Sequence, residues 1–315
     1  MAKRDFFIRT SQSPYNVLPC PDRGGRYCES SRTLREQFIE ILRPTVPILA
    51  TLRGSGFAMS LTTLAALAVA LPPYPYAVEQ RGVLQILESY NPPPIETLTP
   101  REAREAPLPG DAAAEFLARR KKPANVPIGD IGHLRINGPG GPILVRTYRP
   151  AKAPAGPLPA IVYFHGGGFV IASVNAYDNS ARALANASGA MVFSVAYRQA
   201  PEHPYPAPFD DAEAATEYVF ANAGRLGIRP GKIAVAGESA GGNLATSVTY
   251  RRKAKGQRLP IHQLLVYPVT DWSRSTDASI EKYAKALPLN KPMLGWFKKF
   301  TYPNPDDANR PDASP

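Results

Sequence analysis

Cysteine and histidine are scarce in this chain. Its 315 residues contain two cysteines, Cys20 and Cys28, both near the N-terminus. Two cysteines do not make a disulfide framework, and no cysteine–histidine cluster has the spacing of a zinc site. Histidine occurs four times, as His133, His165, His203 and His262, so few residues could serve as a base near neutral pH. Acidic residues are outnumbered: Lys and Arg total 37 against 26 Asp and Glu, a net charge of +11. Such a balance would suit an acidic partner. The basic residues are scattered, however, with no arginine stripe and no nucleic-acid motif, which argues against a nucleic-acid partner. A long apolar run is also missing. The most apolar stretch, Gly56 to Leu71, is about fifteen residues, short for a membrane span.

What is present is the material of a globular protein. Hydrophobic residues make up 44% of the chain, enough for a sizeable core in one large domain or two small ones. The 35 prolines cluster between apolar runs and predict long irregular connections. Residues 1–58 differ from the rest in being basic. They hold one candidate helix, Thr33 to Arg43, which Pro44 and Pro47 would end or kink. This segment reads either as an extra tail or as sequence upstream of a true start near Met59. The Gly56–Leu71 run is a buried or cap helix, or else the core of a signal segment spanning 53–77. The first alternative implies a cytoplasmic protein, the second an exported one.

The remainder divides by periodicity. Residues 78–120 carry helical spacing, with Val83, Leu84, Ile86 and Leu87 on one face. Thr99-Pro100-Arg101-Glu102 has the form of a helix start, and Ala112 to Arg120 predicts a further short helix. Gly132–Ile136 and Pro142–Tyr148 flank Asn137-Gly138-Pro139-Gly140-Gly141, a hairpin signal. Strands and helices then alternate. Strands are expected over 159–164, 190–197, 232–236 and 264–267. Helices are expected over 179–188 (Asp178 as N-cap, Gly189 as stop), 209–223 and 240–253. This alternation predicts a mostly parallel sheet with helices on both faces. The basic run Arg251-Arg252-Lys253-Ala254-Lys255 reads as a solvated helix end.

Two stretches carry chemistry. Gly237-Glu238-Ser239-Ala240-Gly241 follows the apolar run 232–236 and opens a helix, the context in which Gly-x-Ser-x-Gly marks a nucleophile elbow. The hydroxyl of Ser239 must then sit on a sharp turn, and the flanking glycines let strand and helix backbones pass closely. Ile161 to Phe164 leads likewise into His165-Gly166-Gly167-Gly168. A glycine loop of this kind presents backbone N–H groups to an oxyanion.

With these motifs the chain resembles the hormone-sensitive-lipase-like esterases and lipases of the α/β-hydrolase fold. The matching residues are His165-Gly166-Gly167-Gly168, the run Tyr197 to Ala207 (Tyr-Arg-Gln-Ala-Pro-Glu-His-Pro-Tyr-Pro-Ala), Gly237 to Gly242, and Tyr267-Pro268-Val269-Thr270-Asp271. Gln199 stands where Leu is common, and Glu238 where Asp is equally usual. The resemblance covers roughly residues 80 to 315. It implies an N-terminal extension (1–76), a helical cap (77–125) and an α/β-hydrolase core (126–315). It implies a serine hydrolase acting on small carboxylic esters of short or medium acyl chains, with Ser239 as nucleophile. The N–H groups of Gly167, Gly168 and Ala240 would form the oxyanion hole. No metal, organic cofactor or membrane partner is expected. His203 and Glu202 would be loop-ordering residues, and Asp271 a minor candidate for an acid. Trp272, Tyr283, Met293, Trp296 and Phe297 suggest a pocket wall or ordinary core.

The resemblance also implies a triad acid and histidine well after Ser239. Only His262 follows it, just before a strand, too early and too buried to reach the hydroxyl. The chain is therefore expected to be a truncated or mis-bounded esterase, without the last strands of its sheet, with an open apolar edge and little activity. The rival expectations are a non-catalytic ligand-binding member of the same fold, and a peptidase or amidase on the same scaffold.

Overall fold

The apolar pattern changes from helical spacing to continuous runs near residue 130, and the architecture changes with it. The computed structural model describes residues 77–273 and 277–315. The expected helix over 33–43, the apolar stretch 56–71 and the extension 1–76 lie outside the described residues. The helical part comprises α1 (Val78–Ser89), a short 3-10 turn (Ile95–Thr97), α2 (Pro100–Glu105) and α3 (Pro109–Arg119). Helix α2 begins where the sequence predicts. Thr99 Oγ1 accepts from the Glu102 N–H, and Glu102 Oε2 accepts from the Thr99 N–H at 2.8 Å. Pro100 fills the first turn, where an N–H has no helical partner. Helix α3 starts earlier than expected, because Pro109 suits that same position and Asp111 accepts the Leu108 N–H at 2.7 Å. Helices α1 and α3 pack closely at Gly82, where an added Cβ would lie 2.3 Å from the Phe116 ring.

Seven elements then form the core: β1 (Asp130–Gly138), β2 (Gly141–Arg149), β3 (Leu158–Phe164), α4 (Asp178–Ser188), β4 (Met191–Ala196), α5 (Ala207–Ala221) and β5 (Ile228–Glu238). After them come α6 (Ala240–Ala254), β6 (Gln263–Val266), α7 (Ala278–Lys282) and α8 (Lys291–Thr301). The hairpin is tighter than the glycine-rich stretch suggests. Strand pairing runs on to Gly138 opposite Gly141, leaving Pro139-Gly140 as the loop. The six strands lie in the order β1-β2-β4-β3-β5-β6. β1 and β2 pair antiparallel to their neighbours, whereas β4, β3, β5 and β6 run parallel. The expected mostly parallel sheet is thus observed.

Successive side chains of the central strands point to opposite faces, and helices cover both. On one face Tyr148, Ile161, Tyr163, Val192 and Ala236 pack on Ala181 and Ala185 of α4. On the other, Val162, Phe164, Phe193 and Val235 meet Phe209 and Val219 of α5 and Leu244 and Val248 of α6. β3 is buried nearly throughout, which is why it reads as an unbroken apolar run. β6 is the exception. It pairs only with β5 among the described residues, and Ile261, Leu264 and Tyr267 along it are exposed. Among the described residues no helix is long and apolar enough to cross a membrane.

Charge placement departs from the sequence reading in two places. Asp178 is the first residue of α4 and not its cap. Its carboxylate accepts from Tyr148, Arg146 and Arg182, tying the helix to β2. The basic run at the end of α6 is largely an internal network. Arg251 pairs with Asp210, Glu213 and Asp312, and Arg252, 2% exposed, pairs with Glu217 at 2.5 Å. Those acids stand on α5 and near the C-terminus, so folding and not helix polarity decides the pairing.

Asp211 on α5 is fully buried and accepts from the backbone N–H, Nε and Nη2 of Arg198. This two-pronged pair fixes the loop leaving β4. Arg198→Ala would leave a buried carboxylate with only a backbone donor. It is expected to destabilise the chain by about 3 kcal/mol, measured as a lower urea midpoint with an unchanged slope.

Candidate active site

Strands β3 and β5 are parallel neighbours, with Phe164 opposite Gly237. The loops that leave their C-terminal ends therefore emerge side by side. One is His165–Gly168, the other Glu238-Ser239. Between β5 and α6 the chain reverses within a single residue. Ser239 takes φ 56° and ψ −118°, a left-handed conformation that costs a non-glycine residue about 1–3 kcal/mol. Such a bend brings the helix start against the sheet. A Cβ on Gly241 would lie 2.0 Å from the Phe164 carbonyl oxygen and 2.5 Å from that of His165. A Cβ on Gly237 would meet the Gly241 carbonyl at 2.1 Å. The glycines of the pentapeptide are thus demanded by backbone contact.

The sequence-predicted residues come together at this edge of the sheet. Ser239 is half-buried and its hydroxyl makes no hydrogen bond among the described residues. Gly167 and Gly168 both have positive φ, 113° and 58°. The Gly167 carbonyl accepts from Val170 and Ile171, which turns the loop back on itself. The N–H groups of Gly167, Gly168 and Ala240 donate no hydrogen bond among the described residues. Ala240 opens α6, where the positive end of the helix dipole lies. Phe297 of α8 packs on Gly168, and Thr301 donates to the Gly168 carbonyl at 3.2 Å. Trp296 and Phe297 are buried in the core with Trp272, Met293 is half-buried against it, and Tyr283 is exposed.

None of the four histidines bonds to Ser239 among the described residues. His165 is 2% exposed, stacks on Tyr197 at 4.4 Å and donates from Nδ1 to the Gly166 carbonyl at 2.7 Å. Burial pushes its pKa down to about 4, so it is neutral at physiological pH and orders the loop. His133 accepts from Arg146 at 3.3 Å. His203 lies exposed in the loop after β4. His262 is exposed and not buried as expected. It precedes Gln263, which pairs with Val235, so Ser239 lies roughly 13 Å further along the strand direction. Distance, not burial, separates them. Asp271 accepts from the Ser273 N–H at 2.7 Å.

Several contacts around the site were not apparent in the sequence. The carboxylate of Glu238 accepts from Tyr163 at 2.5 Å and from Tyr267 at 3.1 Å. This bridges the ends of three adjacent strands. Burial, and then the Glu238 charge, raise the pKa values of Tyr163 and Tyr267, and that of Tyr177 to about 12, so all three keep their protons. Arg104 of α2 forms a bidentate pair with Glu202 (2.8 and 2.7 Å) and also donates to the Val170 and Ala200 carbonyls. It joins the helical segment to the glycine loop. Each such residue is a lone polar group in an ordinary setting, and nothing local marks its distant partner.

Known proteins have chains similar to this one. A family profile described as the alpha/beta hydrolase fold matches residues 161–315. Esterase LipI of Mycobacterium tuberculosis is 41% identical over 181 residues, covering 57% of this chain and 56% of that protein. Carboxylesterase NlhH of the same species is 41% identical over 164 residues, covering 52% and 51%. Among solved structures, an esterase of Pyrobaculum calidifontis matches with TM-score 0.64 and 40% identity, over 70% of each chain. The chain spans about half the length of the curated relatives it matches.

Two measurements test the geometry. Gly241→Ala forces a methyl into backbone and should cost about 3 kcal/mol or more. Gly295→Ala, in the open on α8, should instead stabilise by up to about 1 kcal/mol; thermal melts of the pair compare them. The second concerns the latch. The Arg104 guanidinium holds Glu202 down from 4.5 to about 2. A depressed carboxylate stabilises above its unfolded pKa and loses that contribution as pH falls through the folded one. The melting-temperature gap between wild type and Arg104→Met should therefore be full at pH 7 and shrink from about pH 4.5 toward pH 2.

Proposed function

We propose, since the chain belongs to the hormone-sensitive-lipase-like family of the α/β-hydrolase fold, that it is a serine carboxylic ester hydrolase. The observation that carries this reading is the left-handed Ser239 at the β5–α6 junction, beside a glycine loop in which the Gly167 and Gly168 amides donate no hydrogen bond among the described residues. The named relatives are an esterase and a carboxylesterase, which supports an ester as substrate.

In this mechanism Ser239 Oγ attacks the ester carbonyl carbon. The carbonyl oxygen becomes an oxyanion and is held by the N–H groups of Gly167, Gly168 and Ala240, which are fixed before the reaction and need no reorganisation. The bond from the carbonyl carbon to the alcohol oxygen breaks, the alcohol leaves with the proton given up by the Ser239 hydroxyl, and an acyl group remains on Ser239. Water then attacks this acyl-enzyme and releases the acid. Helices α1 to α3 act as part of a cap, latched to the glycine loop through Arg104, and exclude water from the bond being broken. The acyl chains of its substrates are of short or medium length. The Ser239 hydroxyl must lose a proton to act, and no base is bonded to it among the described residues.

The competing reading is a ligand-binding protein of the same fold without chemistry. Mass spectrometry separates the two. Incubation with p-nitrophenyl butyrate should leave a butyryl group on the peptide carrying Ser239, with slow release of p-nitrophenol. Both should fall to background in Ser239→Ala. Binding of the ester with no adduct, or hydrolysis unchanged in Ser239→Ala, would overturn the proposal.

A further inference from the structure

The segment Tyr267-Pro268-Val269 holds no acid, base or nucleophile, yet its contacts converge on the bend at Ser239. The Ser239 N–H donates to the Val266 carbonyl at 2.9 Å, and the Val269 N–H donates back to the Ser239 carbonyl at 3.2 Å. Both backbone polar groups of Ser239 are thus satisfied by the two ends of one short turn. Within that turn Tyr267 has φ 35°, a sterically poor conformation for a residue with a ring. Its hydroxyl donates to Glu238 Oε2 at 3.1 Å. Pro268 lies against the start of α6, where a Cβ on Gly242 would come within 2.8 Å of its own Cβ.

Asn243 closes the arrangement. It lies one helical turn beyond Ser239 and is fully buried. Its N–H donates to the Ser239 carbonyl at 3.1 Å. Its Nδ2 donates to the Val269 carbonyl at 2.7 Å and to the Ala313 carbonyl at 2.8 Å. Ser239, Val269 and Asn243 therefore form a closed ring of hydrogen bonds around the strained residue. A left-handed serine relaxes unless its surroundings over-determine it. A side-chain amide suits this place because it offers two donors to two carbonyls.

We infer that Val266–Val269 is a backbone clasp holding Ser239 in its left-handed conformation, and that Asn243 is the positioning residue that locks it. Asn243 acts through the turn and not on substrate. Its effect on catalysis rests on Ser239 being the nucleophile as proposed above; its effect on the bend does not.

The test compares Asn243→Ala with Thr246→Ala in the full chain. Among the described residues the Thr246 hydroxyl bonds only to the Gly242 carbonyl of its own helix, at 3.0 Å, so this variant controls for a generic lesion in α6. Hydrogen exchange of the Ser239 and Val269 amides should quicken by about tenfold or more in Asn243→Ala and stay near wild type in Thr246→Ala. With p-nitrophenyl butyrate, kcat should fall about 10- to 100-fold in Asn243→Ala while KM stays within about threefold, the pattern of a misplaced nucleophile. Equal exchange in the two variants would overturn the clasp. Faster exchange with unchanged kcat would overturn its positioning role. A wild-type chain showing no Ser239-dependent acylation would instead remove the hydrolase reading, and the exchange comparison would still decide the clasp. Should Asn243→Ala fail to fold, Tyr267→Phe replaces it, because it removes only a hydroxyl from an exposed residue. Unchanged exchange at Ser239 in that variant would also overturn the proposal.

Discussion

A strand must become a helix at Ser239 with no loop between them, and most of the local structure follows from that demand. The reversal is possible only if the residue at the bend leaves the right-handed region and its neighbours lack side chains. Gly237 and Gly241 press on one another's backbones, and Gly241 presses on the end of β3. The close approach then sets the glycine loop after β3 beside the helix start. The strain at Ser239 is local, but the restraints that hold it come from the turn beyond β6 and from the interior of α6.

Electrostatics supports this edge from a distance. Arg198 with Asp211, Arg251 with its three acids, and Arg104 with Glu202 each fasten a loop or helix to the sheet. The first two are screened from water and the last is not, so they differ in strength although their lengths are similar. Glu238 is a different case. Its carboxylate receives two tyrosine hydroxyls and joins the ends of β3, β5 and β6. It stands next to Ser239, yet its oxygens are spoken for by structure.

Fold class was legible because it depends on short-range pattern. The continuous apolar runs at 159–164 and 232–236 mark strands buried on both faces, and Gly189 stops α4 in a left-handed conformation, as its position suggests. Boundaries shifted where a polar neighbour intervened: Asp178 became part of α4 because Tyr148 and Arg146 claim its oxygens. The solvated-end reading of Arg251 and Arg252 failed for the same reason, since their partners are distant in the chain. His262 is exposed where the sequence suggests burial, and what separates it from Ser239 is its place at the far end of β6.

The sequence by itself determined the order of strands and helices, the parallel sheet, and the two glycine-bearing turns that close on Ser239. Each is written in residues a few positions apart, through periodicity and the steric freedom of glycine. Only the tertiary structure decided which polar groups meet: Asn243 with Val269 and Ala313, Glu238 with two tyrosines, Arg104 with Glu202. Hydrogen bonds and ion pairs depend on separations of about 3 Å between atoms that chain order does not bring together, and those separations exist only after the apolar core has fixed the backbone.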